Sequence, residues 1–221
     1  MKIKAKGKCV KCSDTFGPEK GESHLIECAL QSFHASQKLT DGYLIRVAAV
    51  GRPKIYWMFI AIPKNVSLEL LNEFLRDTWL ECCGHLSEFT IGNRSIFSRT
   101  ETGRLSQAMK SQIGQLLSLG MKCGYVYDMG SSTELELEVV ANVTCPQNKV
   151  TMLMRNDPIE FPCESCKKIA DSICSSCGAT ICASCCKRHS CVVDENDDYM
   201  LMPLVNSPRT GVCGYVGKCE N

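Results

Sequence analysis

Residues 163–191 of the chain read CESCKKIADSICSSCGATICASCCKRHSC. This stretch holds three Cys-x-x-Cys pairs followed by His-x-Cys, which together make eight candidate metal ligands in fewer than thirty residues. Two thiolates separated by two residues can turn inward on one tight turn, and a tetrahedral zinc site needs two such pairs. The spacing therefore predicts two interleaved zinc sites. The first would use Cys163, Cys166, Cys182 and Cys185, and the second would use Cys174, Cys177, His189 and Cys191.

This partition leaves an alternative open, because Cys186 could replace His189 or Cys191, which are separated by only one residue. A disulfide-rich module is a second alternative, but the chain begins Met-Lys-Ile-Lys-Ala-Lys without an apolar signal segment. We therefore expect a reducing, cytoplasmic location. The spacing resembles that of B-box-like double-zinc modules. Metal binding would supply most of the folding free energy of such a module, on the order of 10 kcal/mol for each structural site.

A second group of candidate ligands lies near the start of the chain and consists of Cys9, Cys12, His24 and Cys28. It is similar to a single Cys-Cys-His-Cys finger, in which a tight turn offers two thiolates and one helical turn offers His and Cys. Gly21 stands where such fingers usually place a core leucine, and residues 17–23 are poorly suited to reading DNA. The two groups together predict about three structural zinc ions.

The charge of the chain is nearly balanced, with a formal net charge of +1 over 221 residues, so no global field favours nucleic acid. A basic arm is formed by Lys2, Lys4, Lys6, Lys8 and Lys11, and an acidic run by Asp194, Glu195, Asp197 and Asp198. The basic arm could contact phosphate groups, whereas we expect the acidic run to be solvated. No apolar run is long enough to span a membrane. The oligomeric state is left open.

The middle of the chain predicts an α+β domain. Residues 43–50 and 55–62 are rich in β-branched and aromatic side chains and flank a turn, so they predict paired strands. Further strands are predicted at residues 86–91, 95–97, 123–127 and 133–140. Two amphipathic helices are predicted, one from Leu68 to Cys82 after a Ser67 cap and one from Leu105 to Leu117. The expected fold is a largely antiparallel sheet with two helices on one face, plus two small zinc-stabilised modules.

Parts of this domain resemble the Ri-plasmid ORF-3-like family, also known as insertion-element passenger proteins. The similar segments are residues 55–63, 84–89 and 125–130, and the resemblance covers roughly residues 43–140. Ser131 and Ser132 replace the Asp-Trp that usually follows in the family. The resemblance implies a fold but no transferable biochemistry.

The expected organisation has four parts. They are a basic arm and finger (1–34), the ORF-3-like domain (43–150), the double-zinc module (160–193) and an acidic, Gly- and Pro-containing tail (194–221). Residues 150–162 would form a linker, and residues 200–205 could add an edge strand or dock on the core.

The leading functional hypothesis is a non-enzymatic adaptor that binds protein partners through its zinc modules. One alternative is a nucleic-acid-associated protein of a mobile element, which would bind through the finger and the basic arm. Another is an enzyme using the α+β domain. Its weak catalytic candidates are His85, Asp128 and Glu88 for acid–base chemistry, and Cys213 near Arg209 as an activated thiol. We interpret Cys82 as a small core residue.

Overall fold

A computed structural model describes residues 5–29, 38–192 and 200–217 of the chain. These residues form two compact units. The first unit contains the described residues up to Arg76 together with His85–Asp157. The second contains Asp77–Gly84 together with the described residues from Pro158 onward. No helix within these described ranges is long and apolar enough to cross a membrane.

The first unit is built on a nine-stranded antiparallel sheet. Its strands are β1 (Gly7–Cys9), β2 (Thr15–Phe16), β3 (Leu39–Ala49), β4 (Trp57–Pro63), β5 (Ser87–Ile91), β6 (Arg94–Phe97), β7 (Lys122–Tyr127), β8 (Thr133–Pro146) and β9 (Thr151–Asn156). Their order across the sheet is β2-β1-β9-β4-β3-β8-β7-β5-β6, and every neighbouring pair is antiparallel. The predicted fold class, a largely antiparallel sheet with few helices, is confirmed.

Two types of hydrophobic pattern build this sheet. All seven residues of β4 are buried, as expected for a strand with hydrogen-bonded neighbours on both sides and both faces covered. In β8, Leu135 and Leu137 are buried, whereas Glu134 and Glu136 point to water. The side-chain period of two therefore places one face of β8 in the core.

Strand β9 lies in the segment that the sequence analysis assigns to a linker, so that interpretation was wrong. Its residues carry little of the β-branched pattern that identifies a strand. They are held by their neighbours instead, because β9 pairs with β4 on one side and with β1 on the other. Leu153 and Met154 are buried in the core. Tertiary pairing thus overrides a weak local preference.

The N-terminal segment 5–29 shares the core of the large sheet. Cys9 and Leu25 belong to the same buried cluster as Trp57, Phe59 and Met154. A side chain on Gly21 would meet the Met154 sulfur, since an added Cβ would lie 2.8 Å from it. Met154 therefore occupies the space that a finger leucine would need, which explains the glycine at this position.

The helices are short and few. They are α1 (Pro18–Ala29), α2 (Leu68–Leu75) with a π-helical continuation (Arg76–Leu80), a 3-10 turn (Gln107–Lys110), α3 (Ile113–Leu116) and a 3-10 turn (Cys186–Arg188). The Ser67 hydroxyl caps α2, as predicted, by accepting a hydrogen bond from the Leu70 amide at 3.3 Å.

The second predicted helix, over residues 105–117, is not continuous. Ser111 and Gln112 are extended and separate the 3-10 turn from α3. The Ser111 carbonyl accepts a hydrogen bond from the Leu68 amide, and the Ile113 amide donates to the Val66 carbonyl. These backbone groups bond to the chain before α2 rather than to their own helix, so the apolar spacing did not produce one long helix.

The second unit contains a small sheet with the strands β10 (Ser172–Cys174), β11 (Thr180–Ile181) and β12 (Leu201–Pro203). Its order is β11-β10-β12, and both pairs are antiparallel. The edge strand expected within residues 200–205 is therefore β12, and its partner is β10 of the cysteine-rich module. The buried cluster of this unit is small. It consists of Cys163, Ala170, Ala179, Ile181, Cys182 and Cys185.

Candidate metal centres

The first cluster of candidate ligands is assembled by β1, β2 and α1. Cys9 and Cys12 lie in the turn between the two strands, and His24 and Cys28 lie one helical turn apart on α1. The four ligand atoms lie within 4.8 Å of one another, and Cys12 Sγ is 3.3 Å from His24 Nε2. The Phe16 ring stacks on the His24 ring with 4.3 Å between centroids, which restrains the orientation of the imidazole.

The second unit holds two further clusters, with the ligands divided as the spacing predicts. Cys163, Cys166, Cys182 and Cys185 form one cluster, and Cys174, Cys177, His189 and Cys191 form the other. In each cluster the ligand atoms again lie within 4.8 Å of one another.

Distances across these two clusters are short. The sulfur atoms of Cys166 and Cys182 are 3.5 Å apart, and Cys177 Sγ is 3.4 Å from His189 Nε2. The Cys186 thiol lies outside both clusters and donates to the Ala183 carbonyl at 3.0 Å. The structure thus brings Cys191, rather than Cys186, to the second cluster.

Three Cys-x-x-Cys turns share one backbone geometry. The residue after the second cysteine has a positive φ in each turn, namely Ser13 (66°), Lys167 (65°) and Gly178 (76°). The amide of that residue donates to the carbonyl of the first cysteine, at 3.0, 2.8 and 2.8 Å respectively. The left-handed residue closes the turn and places both sulfur atoms on the same side. The pair Cys182 and Cys185 differs, because it leads into a 3-10 turn instead.

The distances within the clusters suit tetrahedral zinc. Two thiolates that share one zinc ion at about 2.3 Å are about 3.8 Å apart, and a thiolate and an imidazole nitrogen are about 3.6 Å apart. The distances of 3.3 to 3.5 Å described above are close to these values. No cysteine in the described part of the chain forms a disulfide bond. These clusters are therefore compatible with zinc binding, and Cys and His are the donors that Zn²⁺ prefers.

The first cysteine of each of these turns has a lowered thiol pKa. Burial raises the pKa of Cys9, but backbone N–H groups of Cys12 and Lys11 outweigh this effect and lower it from 9.0 to about 7. For Cys174, burial raises the pKa, but hydrogen bonds from the Cys177 amide, the His189 side chain and the Ser176 amide together outweigh this effect, and the pKa falls to about 6. At Cys163 the backbone N–H of Cys166 is the largest influence and lowers the pKa to about 6. Each turn therefore stabilises one thiolate.

Crowding has the opposite effect on the remaining sulfur atoms. Hydrogen bonding with the Cys166 and Cys182 sulfurs raises the pKa of Cys185 to about 12. The Ala179 amide lowers the pKa of Cys177, but burial and the contacts with Cys174 and Cys191 together outweigh it, so this pKa is also raised. Several thiolates cannot coexist at such distances without a cation between them. The donor sets therefore fit a divalent metal better than free thiols.

The weak catalytic candidates of the first unit lie close together. His85 Nε2 is 3.6 Å from Asp128 Oδ2, and the Asp128 side chain is 7% exposed. Asp128 has a φ of 68°, and its Oδ1 accepts hydrogen bonds from the Gly130 and Ser131 amides. Asp128 therefore closes a turn while its second oxygen faces the imidazole. Glu88 lies on β5 and is half-buried.

Cys213 belongs to the second unit, where its sulfur is 3.8 Å from that of Cys83. The sequence analysis places Cys82 on the apolar stripe of a helix, but the helix ends at Leu80 and Cys82 lies beyond it. The adjacent cysteines at 82–83 were the available sequence signal for this group of sulfur atoms. Lys2, Lys4, the acidic run and Cys219 lie outside the described residues.

Comparisons with known proteins add little to this geometry. No family model and no curated protein matches the chain. Among solved structures, the chain is similar to a protein of unknown function from Methanosarcina mazei Go1, with a TM-score of 0.42 and 16% sequence identity. The match covers 52% of this chain and 67% of that one.

Proposed function

We propose that this chain is a non-enzymatic zinc-binding interaction protein, in which three structural zinc ions hold two protein-binding modules in shape. The observation that carries the proposal is the completeness of the three clusters at Cys9, Cys163 and Cys174. Each supplies four nitrogen or sulfur donors at tetrahedral spacing. Four protein ligands leave no open position for a substrate, which is typical of structural rather than catalytic zinc.

The small core of the second unit supports the structural role. Its six buried cluster residues are three cysteines, two alanines and Ile181, with no aromatic side chain among them. Burial of so few apolar groups offsets only a small part of the conformational entropy lost on folding. Metal binding would supply the rest of the free energy that folding of this unit requires.

Zinc counting on single variants of the full chain tests the metal sites. Native mass spectrometry of Cys12→Ser, Cys166→Ser and Cys177→Ser should show one zinc fewer than the unaltered chain in each case. Cys186→Ser is the matched control, because Cys186 neighbours the clusters without belonging to them, and it should lose no zinc. Equal zinc content in all four variants would refute the proposal.

The protein-binding role rests on exposed apolar side chains at the modules. Val10, inside the first cysteine turn, is 60% exposed, and Ile169, which follows the turn at Cys163, is 61% exposed. Rigid, metal-held turns present such side chains without cost in loop entropy, which favours binding. The expected partner is a protein with an apolar patch.

Affinity capture of binding partners by the unaltered chain tests the protein-binding role. Partners retained by the unaltered chain should be lost with Ile169→Asp, while zinc content stays the same. Val216→Asp is the control, because it places the same charge at another exposed apolar position of the second unit. Capture that survives Ile169→Asp and Val10→Asp would remove the protein-binding surface proposed here.

Nucleic acid is the second candidate partner, since Lys6 and Lys8 are exposed beside the first cysteine turn. Binding through phosphate contacts weakens steeply with salt, by about one logarithmic unit per contact for each tenfold increase. Retention that disappears after nuclease treatment and with rising salt would favour this candidate over a protein partner.

The resemblance of residues 43–140 to the ORF-3-like family remains a proposal about ancestry. The order of a tryptophan strand, Pro63, helix α2 and the Phe89 strand supports it.

A further inference from the structure

We propose that Cys82, Cys83 and Cys213 bind a fourth zinc ion, separate from the three clusters at Cys9, Cys163 and Cys174. The three sulfur atoms belong to the second unit and lie within 4.8 Å of one another. Cys83 Sγ and Cys213 Sγ are 3.8 Å apart. This separation equals that of about 3.8 Å expected for two thiolates on one tetrahedral zinc ion.

Hydrogen bonds inside the second unit hold the two cysteine-bearing segments together. The Ser207 hydroxyl donates to the Trp79 carbonyl at 2.6 Å and accepts from the Arg209 amide at 2.9 Å. Trp79 is fully buried, and Ser207 is 2% exposed. Residues 77–84 are thereby fixed against the turn that carries Cys213, although the two segments are far apart in sequence.

A buried cation stands beside one of the sulfur atoms. Arg209 is fully buried, and its Nη2 donates to Cys82 Sγ at 3.4 Å. A guanidinium at this distance favours the thiolate, which is the form that binds metal. It also resembles the outer contacts that orient the ligands of metal sites, because it bonds to a ligand sulfur without occupying a coordination position.

The backbone at Cys213 is held in an unusual conformation. Cys213 has a φ of 51°, between Gly211 at 79° and Gly214 at 66°. Non-glycine residues adopt this left-handed conformation at a cost, and it persists where surrounding contacts or function require it. Here it turns the Cys213 sulfur towards Cys83, in the same way that a left-handed residue closes each of the three cysteine turns described above.

The donor set specifies the class of metal. Three thiolates select zinc over the hard cations magnesium and calcium. A single reactive thiol at Cys213 is the competing interpretation. That arrangement needs one cysteine only, and it leaves the sulfur atoms of Cys82 and Cys83 without a role.

Zinc counting on the full chain tests the fourth site. Native mass spectrometry of Cys83→Ser and Cys213→Ser should show one zinc fewer than the unaltered chain, whereas Cys186→Ser should keep all of them. Unchanged zinc content in both variants would overturn the proposal. Losses at Cys12, Cys166 and Cys177 variants report on the other three sites, so failure here is distinguishable from failure of the proposed function.

Thiol alkylation of the unaltered chain tests the site without a variant, so the test does not depend on whether a variant folds. Alkylation with iodoacetamide, mapped by mass spectrometry, should leave Cys213 unmodified in the zinc-loaded protein although its side chain is exposed. Removal of zinc by a chelator should make Cys213 reactive. Rapid modification of Cys213 alone in the zinc-loaded protein, or a disulfide between Cys83 and Cys213, would overturn the site.

Discussion

The sulfur atoms of Cys166 and Cys182 are 3.5 Å apart although sixteen residues separate them in the chain. Between them lie β10 and the whole of a second cysteine turn, Cys174 to Cys177, whose sulfur atoms serve the other cluster. The two clusters are therefore interleaved, and neither can close unless the chain between its ligands has folded. The two sites should form and open together.

Metal removal is the first test of this coupling. A chelator should abolish amide protection across residues 163–191, because the buried cluster there contains mostly cysteine and small apolar side chains. The central strands β3, β4 and β8 should keep their protection, since their core is apolar. Hydrogen exchange with mass spectrometry measures both regions at once, and equal protection with and without metal in residues 163–191 would contradict the expectation.

Gly7→Ala should separate the finger from the large sheet. A Cβ at this position would collide with the Arg155 carbonyl across the β1–β9 ladder and with the Trp57 ring. We expect a loss of about 1–3 kcal/mol in the free energy of unfolding, measured by urea denaturation. Gly17→Ala is the matched control, because no atom lies within 4 Å of its added Cβ, and a similar loss there would show that the effect is not steric.

Ser67→Ala should remove the cap of α2. The Ser67 oxygen satisfies the Leu70 amide, and its loss should cost about 1 kcal/mol of stability. Ser67→Asn keeps a side-chain acceptor and should retain most of that stability. The comparison is made by thermal or urea unfolding of the full chain, and equal effects of Ala and Asn would argue against the cap.

Burial should protect the Cys123 thiol at alkaline pH. Burial, aided by the charge of Glu136, raises the pKa of Cys123 from 9.0 to about 12. The folded state therefore holds this proton more tightly than the unfolded state, so its contribution to stability is complete below pH 9 and is lost between pH 9 and about 12. Alkylation at pH 9 should leave Cys123 unmodified in folded protein and modify it in denaturant. Rapid modification of the folded protein would show that the thiol ionises as it does in water.

Local patterns predict a large part of this structure. The ligand groups could be predicted because each cysteine turn is formed by residues close in sequence, and the left-handed closure after Cys12, Cys166 and Cys177 depends on few neighbours. The central strands could be predicted from their β-branched and aromatic content. Contacts between distant segments determine the strand register, the strand order and the position of β12 beside β10. No local sequence pattern predicts these features.

The predictions that were wrong have the same physical origin. Strand β9 forms because two neighbours offer hydrogen bonds, and the helix predicted over residues 105–117 is interrupted because the chain before α2 competes for its backbone groups. Cys83 and Cys213 are 130 residues apart, so no spacing rule links them. Only the fold brings these sulfur atoms together.

The position of β1 near one end of the sheet order would give a metal ion bound at Cys9, Cys12, His24 and Cys28 a second role. Strand β1 pairs along β9, which would otherwise present an open edge of unpaired amide and carbonyl groups. Such an edge is a template for pairing with another chain, and proteins normally cover or charge it. If the finger opened when its metal left, β9 would be uncovered. Zinc at Cys9, Cys12, His24 and Cys28 would then help to prevent aggregation. Depletion of zinc would reduce the solubility of the protein before it reduced the binding of partners.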